Sequence, residues 1–184
     1  MNTKLIFEEF SLQNKLHCVL HKNTSNPLVN VTLGYKVGAK DEEPGQFGVA
    51  HLFEHLMFEG SQNIPKSEHQ KIVMECGGRT NAFTMQDATV YYEDIPANFL
   101  ETALWLESDR MNEIDLTEEN LDNQKKVVLE EKLQRYDNAP YGTFLARTMK
   151  NVFPGSLYEH TTIGEAEHIK NFSRQDAIDF HHKY

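Results

Sequence analysis

Cysteine is scarce in this sequence of 184 residues, and long apolar runs are absent. The two cysteines, Cys18 and Cys76, make neither a disulfide framework nor a C-x-x-C metal motif. No apolar run approaches the roughly 18 residues that a membrane-spanning helix requires, and residues 1–10 are too polar for a signal peptide. We therefore expect a soluble cytoplasmic protein, or a periplasmic one if a leader has been removed.

Positive charge is in the minority. The chain has 18 Lys and Arg residues against 28 Asp and Glu residues, a net charge of −10 with no basic block. This balance disfavours both nucleic acid and an anionic membrane as partners. The sequence also lacks repeats, low-complexity segments and linker-like stretches, so residues 1–184 are most simply one domain, long enough to bury a core.

Apolar periodicity predicts strands and helices that are grouped along the chain. Predicted capping boxes at Ser67–Gln70 and Asp115–Glu118 mark the starts of two helices. The grouping favours an α+β fold with a mostly antiparallel sheet packed against helices. Strands are expected at 5–7, 16–20, 29–37, 80–85 and 88–93, and helices before Gly60, from 67, after Pro96, from 115 to about 135 and at 173–182.

A short motif points to chemistry. His51, Glu54 and His55 form an H-x-x-E-H pentad, and on a helix they share an arc of about 100°. Two imidazoles one turn apart can bind one metal ion, and the glutamate beside them can hold its water. Phe47 and Phe58 fall on the same face and are expected to keep the site dry. The opposite face is apolar and suited to burial: Val49, Ala50, Leu52, Phe53, Leu56 and Met57.

Two histidines leave a catalytic zinc site one protein ligand short. We interpret the remaining histidines as surface residues, because none has a companion at ligand spacing: His17, His21, His69, His160, His168, His181 and His182. Glu130 and Glu131 lie on a predicted amphipathic helix. A helical wheel places Glu131 beside Val127 and Val128, where a carboxylate needs a partner, but it does not decide between the two glutamates.

The pentad, followed by Glu131 76 residues after His55, resembles the M16 (pitrilysin-like) metallopeptidases, or inverzincins. Similar stretches run through the whole chain, at 37–39, 48–51, 78–84, 87–91 and 127–131. The resemblance implies that His51, His55 and Glu131 are zinc ligands and that Glu54 is the general base. It also implies that one strand edge pairs with an extended peptide substrate, through Asn81, Ala82, Phe83 and Thr84.

Two departures from the family qualify this resemblance. Gln124 stands where many members have a further glutamate, seven residues before the ligand, and a neutral amide there can orient Glu131 or a substrate without adding charge. The chain also matches only the first half of a family subunit. We therefore interpret it as the N-terminal catalytic fragment of a two-domain protein, which would work with a C-terminal half-domain or a second M16 subunit.

The resemblance implies a zinc-dependent endopeptidase acting on peptides or unfolded protein segments. One alternative is a non-catalytic M16-fold subunit that serves assembly or substrate capture. Another is a zinc enzyme of different chemistry, or a structural metal site. Glu54 argues against the non-catalytic subunit, which has no chemical need for it beside two ligands. It also argues against a structural metal site, which has four protein ligands and no water to activate.

Overall fold

The computed structural model describes residues 5–184, so residues 1–4 of the predicted domain lie outside the described part. Two groups of strands are present. β1 (Glu8–Ser11) and β2 (His17–Leu20) form an antiparallel hairpin. β3 (Leu28–Tyr35), β4 (Arg79–Thr84) and β5 (Thr89–Pro96) form an antiparallel sheet in the order β3-β5-β4. The predicted strand at 5–7 instead begins at residue 8.

The central strand of the sheet, β5, alternates between buried and half-buried residues, as a strand covered on one face should. Tyr91 and Ile95 are among its buried side chains. β4 and β3 flank it, so each has one side without a partner strand among residues 5–184. β4 is therefore an edge strand, as the predicted substrate edge requires.

The helices cover the sheet and complete the predicted α+β fold, which is confirmed. Among residues 5–184, no helix combines the length and apolar character needed to cross a membrane. The helices are α1 (Val49–Leu56), α2 (Glu68–Glu75), α3 (Leu100–Asn112), α4 (Glu118–Lys132), α5 (Phe144–Val152), α6 (Ala166–Asn171) and α7 (Arg174–Lys183).

The core is organised around α1. Leu52 and Leu56 are almost completely buried and belong to one cluster with Tyr91 of β5, Leu121 of α4 and Ile169 of α6. Burying one such leucine stabilises the fold by roughly 1.5–3 kcal/mol. The apolar face of α1 is thus held from several sides, which fixes the direction of its opposite, polar face.

Both predicted capping boxes are wrong, although both helices exist. Ser67 adopts a left-handed conformation (φ 64°), and its side chain makes no cap. The helix at 118 is capped by Thr117, whose hydroxyl accepts a hydrogen bond from the Asn120 N–H. Asp115 lies two residues before this cap, and its N–H donates to the Gly60 carbonyl beside an antiparallel bridge between residues 61 and 114.

α4 ends earlier than the predicted limit of about residue 135. Regular α geometry stops at Lys132, and a π-helical turn follows over Leu133–Asp137. Such turns are frequent at functional sites because they redirect side chains. Here the turn includes Arg135, which contacts Glu131 one helical turn before it.

Candidate metal centre

The buried carboxylate of Glu42 anchors the start of α1. It accepts hydrogen bonds from the N–H groups of Gly48 (2.9 Å) and Ala50 (2.8 Å), which have no partner within the helix. Nε2 of His160 lies 3.0 Å from the same carboxylate and 2.9 Å from the Ala39 carbonyl oxygen. Sequence reasoning missed this anchor because the residues that form it are far apart in the chain.

The structure brings three predicted ligands together. Oε2 of Glu131 lies 3.7 Å from Nε2 of His51 and 3.6 Å from Nε2 of His55. The two imidazole rings are nearly perpendicular, with centroids 4.9 Å apart. Ligand atoms at 2.0–2.1 Å from a tetrahedral zinc ion are about 3.3 Å apart. The donor set suits zinc, and the two glutamate–histidine distances match this spacing within a few tenths of an ångström.

Glu131, not Glu130, faces the two histidines. Its other oxygen, Oε1, accepts a hydrogen bond of 2.7 Å from Nη1 of Arg135, which leaves Oε2 free to bind a metal. Glu130 is exposed and accepts a hydrogen bond from Gln134. The helical wheel placed Glu131 beside two apolar residues, and this was half right: Val128 is fully buried, whereas Val127 is 47% exposed.

Burial sets the protonation of the centre. It lowers the pKa of His51 to about 4, with smaller contributions from His55 and Arg135. His51 is therefore neutral at physiological pH, as a metal ligand must be. Burial also raises the pKa of Glu54, opposed mainly by a hydrogen bond that Thr84 donates to it. A carboxylate with a raised pKa is a stronger base.

Glu54 connects the centre to the sheet edge. Oγ1 of Thr84, the last residue of β4, donates a hydrogen bond of 2.5 Å to Oε2 of Glu54. Asn81 of the same strand lines a cleft of about 290 Å³ together with Glu54 and His55. Ala82 and Phe83 lie between them on the strand. The structure thus places the four predicted substrate-binding residues along the edge next to the centre.

The expectation for Phe47 was wrong, as was the expectation that His69 and His160 are surface residues. Phe47 does not cover the centre: its ring stacks on His160, with centroids 4.0 Å apart. Phe58, in contrast, lines the cleft beside Glu54. His69 and His160 are not surface residues, because each is buried against a carboxylate.

A second cluster of ligand-type side chains went unpredicted. His69, Glu93 and Glu107 are buried, and Nε2 of His69 lies 2.6 Å from Oε1 of Glu93. The guanidinium of Arg110 pairs with Glu107 and lies over the ring of Tyr91, 4.3 Å from its centroid. These residues come from α2, β5 and α3, so no local spacing in the sequence indicates them.

Comparison with known proteins assigns the family. The model of the insulinase family, peptidase family M16, matches residues 17–163. The chain belongs to peptidase family M16. The resemblance noted in the sequence is therefore confirmed.

Curated M16 relatives include proteases and a subunit of a larger assembly. The zinc protease PqqE of Helicobacter pylori is 33% identical over 96% of the chain and 40% of its own length. The uncharacterised zinc protease YmxG of Bacillus subtilis is 25% identical, over 97% of the chain and 44% of its own length. Subunit 1 of the bovine (Bos taurus) cytochrome b-c1 complex is 25% identical, over 88% of the chain and 34% of its own length.

Solved structures confirm the half-subunit fold. A protease from Helicobacter pylori matches with a TM-score of 0.93 and 32% identity, over 96% of the chain and 43% of its own. Pitrilysin matches with a TM-score of 0.84 at 21% identity, over 100% of the chain and 20% of its own, which shows the fold alone. The chain thus spans less than half of these relatives. The compartment stays a prediction, since a PqqL structure from Escherichia coli is described as a periplasmic protease.

Proposed function

We propose that this chain carries the catalytic zinc centre of an M16 metalloendopeptidase that hydrolyses peptides or unfolded protein segments. The observation that carries the proposal is the convergence of Nε2 of His51, Nε2 of His55 and Oε2 of Glu131, with Glu54 beside them. These are three protein ligands and one base, the composition of a catalytic rather than a structural zinc site.

The geometry supports separate roles for a bound zinc ion and for Glu54. A zinc ion held by the three ligands would supply a Lewis acid that polarises a carbonyl and lowers the pKa of water toward about 7. Glu54 accepts a proton from the attacking water and passes it to the leaving amine. Its raised pKa suits both steps, and the Thr84 hydroxyl holds the carboxylate in place.

The edge of β4 supports a peptide substrate. Its outer N–H and C=O groups have no partner strand among residues 5–184, and an extended peptide can pair with them as an added strand. Residues 81–84 would then hold the peptide backbone, with Thr84 marking the end nearest Glu54. Main-chain pairing gives affinity without demanding a fixed substrate sequence.

Activity of the whole protein requires more than this chain. Because the chain spans 40% of PqqE, we propose that a C-terminal half-domain or a second M16 subunit closes over the peptide. Closure excludes water and holds the scissile bond in an attack geometry, which can contribute several kcal/mol. We expect the 184-residue chain alone to bind zinc but to cleave peptides poorly.

The second candidate function is a non-catalytic subunit of the same fold. The similarity to a cytochrome b-c1 complex subunit favours it, since that name describes a part of an assembly. The presence of Glu54 beside the ligands favours the peptidase, because a subunit without chemistry needs no base there.

Substituting Glu54 in the whole protein separates the two functions. Glu54→Gln should keep zinc at wild-type occupancy and reduce hydrolysis of a quenched, unstructured peptide by about 10²–10⁴-fold or more. The exposed Glu130→Gln serves as a matched control and should leave hydrolysis unchanged. Activity of Glu54→Gln within about tenfold of wild type would exclude Glu54 as the base. Absence of chelator-sensitive cleavage by the zinc-loaded wild type would favour the subunit.

A further inference from the structure

A chain of polar contacts runs away from the metal centre behind His55. Nδ1 of His55, the nitrogen that does not face Glu131, lies 3.2 Å from Oε1 of Gln124. Nε2 of Gln124 donates a hydrogen bond of 2.7 Å to Oε1 of Glu59. Oε2 of Glu59 is 2.6 Å from Nζ of Lys66, which also donates to Oδ1 of Asn120 at 2.8 Å.

The direction of these contacts is fixed by chemistry. The lysine ammonium can only donate, and the carboxylate of Glu59 paired with it can only accept. The Gln124 amide must therefore turn its NH₂ group toward Glu59 and its oxygen toward His55. An amide oxygen only accepts, so Nδ1 of His55 must carry the proton. In the neutral ring the other nitrogen, Nε2, is then bare, 3.6 Å from Oε2 of Glu131.

We propose that the relay of Lys66, Glu59 and Gln124 positions His55 by locking it in the Nδ1–H tautomer, with Nε2 bare for the metal. Its benefit rests on the proposed function, because a ligand nitrogen that needs no tautomer change binds zinc more tightly. The family resemblance left Gln124 to orient Glu131 or a substrate; the contacts assign it to His55 instead. The negative charge of the relay lies on Glu59, the residue beyond Gln124 as seen from His55, and Lys66 balances it.

His51 provides a comparison within the same site. Its Nδ1 is buried and has no hydrogen-bond partner among the described residues. The relay therefore acts on one of the two histidine ligands. Removing it should change the ring of His55 and leave the ring of His51 as it was.

The tautomer can be measured without metal or substrate. Long-range ¹H–¹⁵N correlation spectra distinguish a protonated ring nitrogen from a bare one. In the metal-free whole protein, at a pH where the rings are neutral, we expect His55 to be protonated at Nδ1. Gln124→Leu should move His55 to a mixture with Nε2–H, which a free imidazole prefers. Exchanging the two residues, in the double variant Glu59→Gln with Gln124→Glu, keeps an acceptor beside Nδ1 and a donor–acceptor pair between positions 59 and 124, and should keep the Nδ1–H form. Gln134→Leu, the same change on an exposed residue, should alter neither ring.

Zinc affinity gives the second readout. Competition with a chelator should show zinc binding weakened about 10–100-fold in Gln124→Leu and by less than about threefold in the exchanged double variant. An unchanged His55 tautomer in Gln124→Leu would overturn the proposal, as would a wild-type His55 protonated at Nε2. The tautomer does not depend on catalysis: if wild type shows Nδ1–H but cleaves no peptide, the proposed function fails and the relay stands.

Discussion

The molecule contains two clusters of histidine and glutamate that both satisfy the spacing of a metal site. One is His51, His55 and Glu131; the other, which we call the buried cluster, is His69, Glu93 and Glu107. They differ in where their positive charge comes from. In the buried cluster Arg110, only 1% exposed, already supplies a cation paired with Glu107. At the metal centre Arg135 is 73% exposed and contacts one oxygen of Glu131 from outside. Ligand spacing alone therefore does not define a metal site.

Glu107 and Glu131 also differ in whether an oxygen is left without a hydrogen-bond partner. Glu107 has both oxygens engaged by the guanidinium of Arg110. Glu131 keeps Oε2 free and directed between the imidazoles. Buried charges are retained when they are paired, so the buried cluster has its charge compensated by a side chain of the protein.

The largest expected effect tests the buried cluster. Glu107→Gln leaves the Arg110 guanidinium buried without its counter-charge, so the free energy of unfolding should fall by about 3–5 kcal/mol. Denaturant titration measures this loss. Glu101→Gln, an exposed position of the same helix, should change stability by less than about 0.5 kcal/mol. If both variants were equally stable, the arginine would not be what holds this cluster together.

The same substitution in the other cluster should act on metal instead of stability. Glu131→Gln removes the charged ligand and should weaken zinc binding by about 100-fold or more while the fold persists. Glu130→Gln should bind zinc as wild type does. Chelator competition provides the affinities. A loss in Glu130→Gln with retention in Glu131→Gln would move the third ligand to residue 130.

The pH dependence of stability sharpens the contrast. Burial raises the pKa of Glu93 to about 7, so its proton is held more tightly in the folded state. That contribution is complete below about pH 4.5 and is lost as pH rises through about 7. The variant Glu93→Gln has no titrating carboxyl at this position, so its stability does not change with pH through this group. The stability of wild type relative to this variant should therefore fall between pH 4.5 and 7, by up to roughly 1 kcal/mol per pH unit. A constant difference over this range would show that Glu93 titrates normally.

The smallest effect is expected at Arg135. Because its side chain is mostly exposed, Arg135→Leu removes a weak ion pair and should change zinc affinity by less than about threefold. Isothermal titration calorimetry can resolve this. A loss as large as that of Glu131→Gln would mean that the arginine fixes the ligand carboxylate, and the contrast with Arg110 would disappear.

The sequence predicted the parts of this site that depend on local geometry. His51, Glu54 and His55 meet because a helix brings positions three and four residues apart onto one face. The edge at Thr84 was predictable only through the family resemblance. The relay through Gln124 was not, since Gln124 and Glu59 are 65 residues apart and meet only when α4 packs on α1. The buried cluster joins three elements and left no pattern in any of them.

The same distinction explains the errors in the fold. Strands β3 to β5 and most helices follow from apolar periodicity. The capping boxes failed because a cap depends on the backbone of the residue before the helix. Ser67 adopts a left-handed backbone, and Asp115 lies two residues before the actual cap, Thr117. His69 and His160 were misplaced because their partner carboxylates, Glu93 and Glu42, are distant in sequence.

The most direct test of the account is to locate zinc in crystals of the zinc-loaded protein by anomalous scattering at the zinc absorption edge. The account predicts one peak per chain, within about 2.0–2.2 Å of Nε2 of His51, Nε2 of His55 and Oε2 of Glu131. It predicts none among His69, Glu93 and Glu107, where Arg110 already supplies the cation. A peak in the buried cluster, or none between the two histidines of α1, would contradict it.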